Sequence, residues 1–273
     1  MQGRLSETVD GKIQAFPWSN WENEFPIASE LGFELMEWTL DQFRLFENPL
    51  MTNEGQTKIR KLSKKYQIQI LSLTGDCFMQ SPFWKVAGED QKRLKEDFLA
   101  ICRACSALSI RLIVVPLVDN GRLDNAVQEN ILVDFLLANR NFFIKNKLKI
   151  IFESDYLPAD LARFMTLLPE EEIFGVNYDI GNSAAFGFNP SEEFSLYGNR
   201  VLNVHVKDRL FGGSTVPLNT GSADFKTAFK VLSQYGYKGN YILQTARAID
   251  GRHATVLCIY RDMTKGWIET YGA

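Results

Sequence analysis

The sequence predicts a (β/α)8 barrel, and three observations point there. Short runs of β-branched and aliphatic residues alternate strictly with helical patterns, which is the order of a parallel α/β fold. The alternating units number eight. The chain has 273 residues, and one barrel takes about 250, so a single domain over 1–273 is expected. A doubly wound open sheet is the alternative. It would need a nucleotide site, and neither G-x-G-x-x-G after the first strand nor a Walker A sequence is there.

The elements follow in order. A very short first strand is expected at Gln2 to Leu5, bringing Arg4 to the carboxyl rim. Ile13 to Trp18 is aromatic and proline-bearing, either a rim over a site or an ordinarily packed loop. Ser19 or Asn20 can cap a helix to Leu31, with Pro26 in its first turns or at a kink, and Gly32 suits its stop. Phe33 to Trp38 alternates like a strand and ends at Glu37. A basic helix covers Gly55 to Tyr66. Ile68 to Thr74 is the third strand, followed by Gly75-Asp76 and a loop with Phe78, Phe83 and Trp84. Glu89 to Leu108 is a helix. Ile110 to Val115 is the fourth strand, ended by Pro116, and Asp124 can cap a helix to about Asn146. Leu148 to Glu153 is the fifth strand, and Pro158 opens the next helix at a permitted position. Gly175 to Asp179 and Val201 to His205 are strands six and seven. A Gly-rich loop follows, and Ser222 or Asp224 caps a helix to Tyr235. Tyr241 to Thr245 is the eighth strand, and the last helix starts near Gly251 and His253.

Composition excludes several classes. A net charge of -3 gives no basic surplus, against nucleic acid as the main partner. No apolar run reaches the about 18 residues of a membrane span, and the N-terminus lacks a signal-peptide pattern. A cytoplasmic, reducing compartment is expected. Cys102 and Cys105 form a lone C-x-x-C within a helical pattern, which reads as a buried helix face rather than a zinc motif. Exposed aromatics such as Trp84 and Trp267 leave room for a homo-oligomer.

Four side chains stand at the carboxyl ends of strands five to eight: Glu153, Asp179, His205 and Gln244. Parallel barrel strands end on one side and lie roughly 5 Å apart, so the four can converge on one divalent ion. Oxygen donors with one imidazole suit Mn²⁺, Mg²⁺, Co²⁺ or Zn²⁺. Taken singly, each has a plainer reading: Glu153 as a helix cap, Asp179 as a turn aspartate, His205 as a core histidine. Their joint placement on one rim is what points to a metal.

The segments Met1 to Leu5, Phe152-Glu-Ser-Asp155, Asn177-Tyr-Asp-Ile-Gly-Asn182, Val204-His-Val-Lys-Asp208 and Ile242-Leu-Gln-Thr-Ala-Arg247 resemble the sugar phosphate isomerase/epimerase family of xylose isomerase-like TIM barrels. The resemblance covers nearly the whole chain. It implies that Glu153, Asp179 and His205 are metal ligands. The family's epimerases carry a fourth ligand on strand eight, a glutamate that is also a catalytic acid/base. Gln244 stands there in this chain, and an amide moves no proton near neutral pH.

The implied chemistry is proton transfer beside a carbonyl through a metal-stabilised ene-diolate. Glu153 is then the first candidate for the base. Lys207 stabilises developing charge or acts as acid, and Glu37 substitutes for the missing carboxylate. Arg4, Arg209 and Arg247 are candidates for a substrate phosphate or carboxylate. The expected activity is that of a sugar or sugar-phosphate isomerase or epimerase. The Gln244 departure keeps two rivals: a sugar or inosose dehydratase, and a non-catalytic sugar-binding barrel. The endonuclease IV branch needs several histidines, and this chain has His205 and His253 alone.

Overall fold

The structure, a computed structural model, describes residues 3–271. Seven strands form one parallel sheet: β1 Leu35–Thr39, β2 Gln69–Thr74, β3 Leu112–Leu117, β4 Lys149–Ser154, β5 Phe174–Asp179, β6 Val201–Val206 and β9 Asn240–Leu243. Between the last two lies a small antiparallel hairpin, β7 Asp208–Arg209 with β8 Thr215–Val216. The spatial order is β1-β2-β3-β4-β5-β6-β9, every neighbour parallel. β9 comes back to β1, so the sheet curls into a barrel with one seam. Helices cover its outside, as parallel crossovers require.

The seam is where the strand expected at Gln2 to Leu5 would complete the eight. Met1 and Gln2 lie outside the described residues, and Gly3 to Leu5 run as turn and bend. The buried carboxylate of Glu24 takes the backbone N–H of Gly3 at 2.7 Å and of Leu5 at 3.2 Å, with the Ser6 hydroxyl at 2.7 Å. These amides therefore go to a side chain rather than to a strand. Gly3 has φ 83°, and a Cβ there would meet Ala15 O at 2.7 Å, so the tight packing requires glycine.

Other boundaries moved for local reasons. The first helix spans Glu24–Glu30, with Pro26 in the first turn, where its missing N–H breaks no helical bond. β1 runs two residues beyond Glu37, to Thr39. Pro116 lies within β3, past the last β2 pairing at Val114, so no bond is lost on that side. Asn125 rather than Asp124 caps the next helix, its Oδ1 accepting from Val127 and Gln128 N–H. That helical stretch breaks at Asn139 into Ala126–Ala138 and Arg140–Lys145. Asp224 caps Phe225–Gln234.

Trp84 is buried, contrary to expectation, because its indole N–H reaches Gly121 O at 3.1 Å and its ring packs edge-on against Phe83. Trp267 is half-buried and stacked on Phe225 at 4.1 Å. Cys102 and Cys105 are free and buried on the inner face of the Gly88–Ala107 helix. Among the described residues, no helix is long and apolar enough to cross a membrane.

Candidate active site

Strand geometry assembles a polar cluster at the carboxyl end of the barrel. Residues two apart on a strand share a face, so Asn177 with Asp179, and Asn203 with His205, point the same way. The β5–β6 register pairs Asn177 with Asn203 and Asp179 with His205. Glu153 comes from the end of β4. One ligand atom each from Glu153, Asp179 and His205 lies within 4.8 Å of the other two. His205 Nδ1 is 3.1 Å from Glu153 Oε2 and 3.8 Å from Asp179 Oδ2. All three side chains are buried.

Glu37 holds the imidazole from the other side, with Oε1 2.9 Å from His205 Nε2. It also accepts from the hydroxyls of Ser72 and Thr74 and from Asn203 Nδ2. Burial by itself would raise this carboxyl, but His205 and the two hydroxyls outweigh it and bring the pKa down to about 2. When an ion displaces the other ring proton, an ionised Glu37 keeps the His205 proton on Nε2 and leaves Nδ1 facing Glu153 and Asp179, as a carboxylate behind a metal-binding histidine does. Burial opposes charge on the imidazole, yet Glu37, Asp179 and Glu153 raise its pKa well above the ordinary value. The cluster is thus arranged for a cation. Two carboxylates, one oriented imidazole and hard donor atoms fit a divalent ion.

Lys207 Nζ already supplies a positive charge beside it. It donates to Asp179 Oδ2 at 3.1 Å and to Gln244 Oε1 at 2.8 Å. Burial pushes Asp179 up, but Lys207 first, then His205, bring it down to about 2. A divalent ion on Asp179 would share or take over that oxygen. Asn182 bridges the parts: its Nδ2 donates to Glu153 Oε1 at 2.7 Å, its Oδ1 accepts from Arg209 Nη1 at 2.8 Å, and its backbone N–H caps on Asp179. Gly181 leaves the room, since a Cβ there would sit 2.6 Å from Lys207 Cγ.

Residues 25–257 match the family model described as the xylose isomerase-like TIM barrel. This chain belongs to the xylose isomerase-like TIM barrel family. One relative is the probable L-ribulose-5-phosphate 3-epimerase UlaE of Mycoplasma pneumoniae, 23% identical over 227 residues, or 79% of this chain and 73% of the relative. Among solved structures, the IOLI protein with a binding zinc atom superposes with TM-score 0.74 at 13% identity, covering 92% of each chain. D-psicose 3-epimerase in the presence of D-fructose superposes with TM-score 0.69 at 13% identity, covering 92% of this chain and 94% of that one.

In this xylose isomerase-like barrel the other sequence candidates separate into two places. A mouth cavity of about 450 Å³, open to solvent, is lined by Glu153, Asn182, Lys207, Arg209 and Gln244 on one side and by Gln14 and Asp76 on the other. That is ample for a monosaccharide phosphate. Arg209 is half-buried there, its Nε and Nη2 engaged by Gly213 O.

Arg4, Arg247 and Glu37 are not among the residues lining this mouth. Arg247 donates to the carbonyls of Gly3, Ser6 and Ile13, and Arg4 also donates to Ile13 O. Both guanidinium groups hold the N-terminal segment in the seam. Glu37 is fully buried beneath His205.

Several site residues escaped the sequence reading: Asn177, Asn182, Asn203, Ser72, Thr74, Gln14 and Asp76. Asn177 and Asn203 carried a signal. Each interrupts an apolar strand two residues before a candidate ligand, and a buried amide must find partners. Asn177 Nδ2 indeed donates to Glu153 Oε2, and its Oδ1 accepts from Asn203.

Proposed function

We propose that this chain is a divalent-metal-dependent isomerase or epimerase of a small sugar or sugar phosphate, working by proton transfer beside a carbonyl. The observation that carries the reading is the convergence of Glu153, Asp179 and His205 at the barrel mouth, with Glu37 orienting the imidazole. The relatives support the substrate class: the Mycoplasma protein carries the name of a ribulose-phosphate 3-epimerase and one structural neighbour that of a psicose 3-epimerase.

Glu153, Asp179 and His205 would hold the ion, with Gln244 Oε1 as a fourth donor once released from Lys207. Such an ion supplies Lewis acidity, drawing electron density from a carbonyl and acidifying the neighbouring C–H. The chain's own groups do the rest. Glu153 takes the proton from that carbon. Lys207 places its ammonium where negative charge develops on the substrate oxygen. Asn182 keeps Glu153 aimed through its amide, and Arg209 offers an N–H-rich plane to an anionic substituent. Arg4 and Arg247 act as anchors of the N-terminal segment and Glu37 as the positioning residue for His205.

Gln244 favours a second reading. Gln244 cannot serve as the second base of an epimerase, and loss of water from the substrate needs only one base with a metal, which is the chemistry of a dehydratase.

The test has two parts. Purified protein is analysed for metal beside His205→Ala and Asp179→Ala; about one divalent ion per chain in the wild type, lost in both variants, is expected from one three-ligand site. The protein is then incubated with ketoses and ketose phosphates in D₂O. Deuterium entering the carbon beside the carbonyl, with an epimer or isomer appearing, supports the reading. A dehydrated product would replace it with the lyase. A protein that neither holds nor is stabilised by Mn²⁺, Co²⁺, Mg²⁺ or Zn²⁺ would leave a sugar-binding barrel.

A further inference from the structure

Epimerisation needs two proton-transfer groups, one for each face of the reacting carbon, and Gln244 is not one of them. The mouth holds another carboxyl. Asp76 follows β2 directly after Thr74-Gly75 and faces the cavity from the β2 wall. Glu153 faces it from the β4 wall, and the end of β3, with Pro116, Val118 and Asp119, lies between. A substrate seated over the end of β3 therefore presents one side to each carboxyl.

The surroundings of Asp76 suit a proton carrier. It is 7% exposed. Gln14 Nε2 donates to Oδ2 at 2.6 Å, and Oδ1 meets no donor among the described residues, so it is left for whatever fills the cavity. Burial pushes the carboxyl up to about 7. The Gln14 amide and the Arg4 guanidinium pull it down, and the Asp41 and Glu153 carboxylates add to the rise. An acid of this kind is protonated often enough to give a proton and ionised often enough to take one near neutral pH. Gln14 is itself set in place, because Arg4 and Arg247 grip the carbonyl of the neighbouring Ile13 and Asp41 takes the N–H of Phe16 at 3.1 Å.

We infer that Asp76 is the second proton-transfer group, a catalytic residue reaching the substrate from the side away from Glu153. This rests on the epimerase reading above. The Glu153 carboxylate removes the proton from the carbon beside the carbonyl. The C–H pair becomes the C=C of an ene-diolate, and the carbonyl π pair moves onto its oxygen. The Asp76 O–H then delivers its proton to the other face; the C=C pair forms the new C–H bond and the carbonyl re-forms. Glu153 ends protonated and Asp76 ionised, and exchange with water restores both.

The experiment uses the full chain with Mn²⁺ and the ketose and ketose-phosphate panel in D₂O, reading epimer formed and deuterium washed into recovered substrate. In Asp76→Asn, epimer formation falls about 100-fold or more, the usual worth of a positioned acid or base. Recovered substrate still gains deuterium through the intact Glu153. The ratio of epimer to exchange therefore collapses, which a merely structural role would not produce. Asp76→Ser gives the same collapse and serves if the Asn variant does not fold. Undiminished epimer in either variant, or epimer and exchange falling by one common factor, would overturn the assignment while leaving the epimerase reading intact. A wild type that gives neither epimer nor exchange with any substrate overturns the reading, and the assignment falls with it.

Discussion

His205 is squeezed between carboxylates, with Glu37 on Nε2 and Glu153 and Asp179 around Nδ1. Charge on Glu37 decides which nitrogen is free. Glu37→Gln keeps the shape and removes that charge, so Mn²⁺ affinity should fall about 10- to 100-fold, as for other groups behind a metal-binding histidine. Calorimetric titration of Mn²⁺ into both proteins measures it; equal affinities would mean that Glu37 does not orient the ring. Much of this cluster was legible beforehand. Glu153, Asp179 and His205 stand at strand ends, and strand ends are where a barrel places its site. Depth was not legible. Alternation assigns a side chain to a face, but whether Glu37 sits at the rim or below it depends on where β1 stops. It stops at Thr39, which drops Glu37 one layer into the interior.

At the scale of elements, the seam shows why the count of eight strands read from sequence ends as seven and an irregular segment. Strand periodicity describes amides that pair with a neighbouring strand. At the N-terminus the partner is Glu24, some twenty residues along the chain and itself in a helix, and no local pattern reports that. Glu24→Ala removes the acceptor of two amides and a hydroxyl at once. Unmet buried donors cost about 1–3 kcal/mol each, and removing a buried carboxylate offsets part, so a net loss of about 2–4 kcal/mol is expected. The Gly3 and Leu5 amides should exchange with solvent faster than those of β2. Protection that stays at the wild-type level would show that the segment is held by Arg4 and Arg247 without Glu24. The helices were read more closely, because caps such as Asp224 and a first-turn proline such as Pro158 are local signals.

For the molecule as a whole, these burials set how stability follows pH. Asp76 is raised to about 7 in the fold against about 3.9 unfolded. Between those values the folded chain keeps a proton that the unfolded chain has lost, so stability falls as pH rises through this window. Glu24 and Glu193, also raised, act in the same direction. Glu37 runs the other way: lowered to about 2, it adds stability above its unfolded value, lost as pH drops toward 2. Asp76→Asn should therefore match the wild type near pH 4 and exceed it at pH 8. The limit is about 4 kcal/mol, since each tenfold difference in proton affinity between folded and unfolded chain is worth about 1.4 kcal/mol. Urea unfolding at both pH values reads this directly, and a variant weaker than the wild type at pH 8 would contradict it. A carboxyl kept for proton transfer thus weakens the fold that houses it.

Gly3 and Arg247 meet across 244 positions of sequence. During synthesis the segment that fills the seam leaves the ribosome 244 residues ahead of its clamp. Until then β1 has an open edge, and the lining of the mouth, Gln14 included, has nothing to hold it. Contacts of such long separation are the slow ones to form. Ring closure is then a late step of folding, and a nascent chain released short of residue 247 would carry the candidate ligands Glu153, Asp179 and His205 in its strands while leaving the barrel unlatched and prone to pair along that edge.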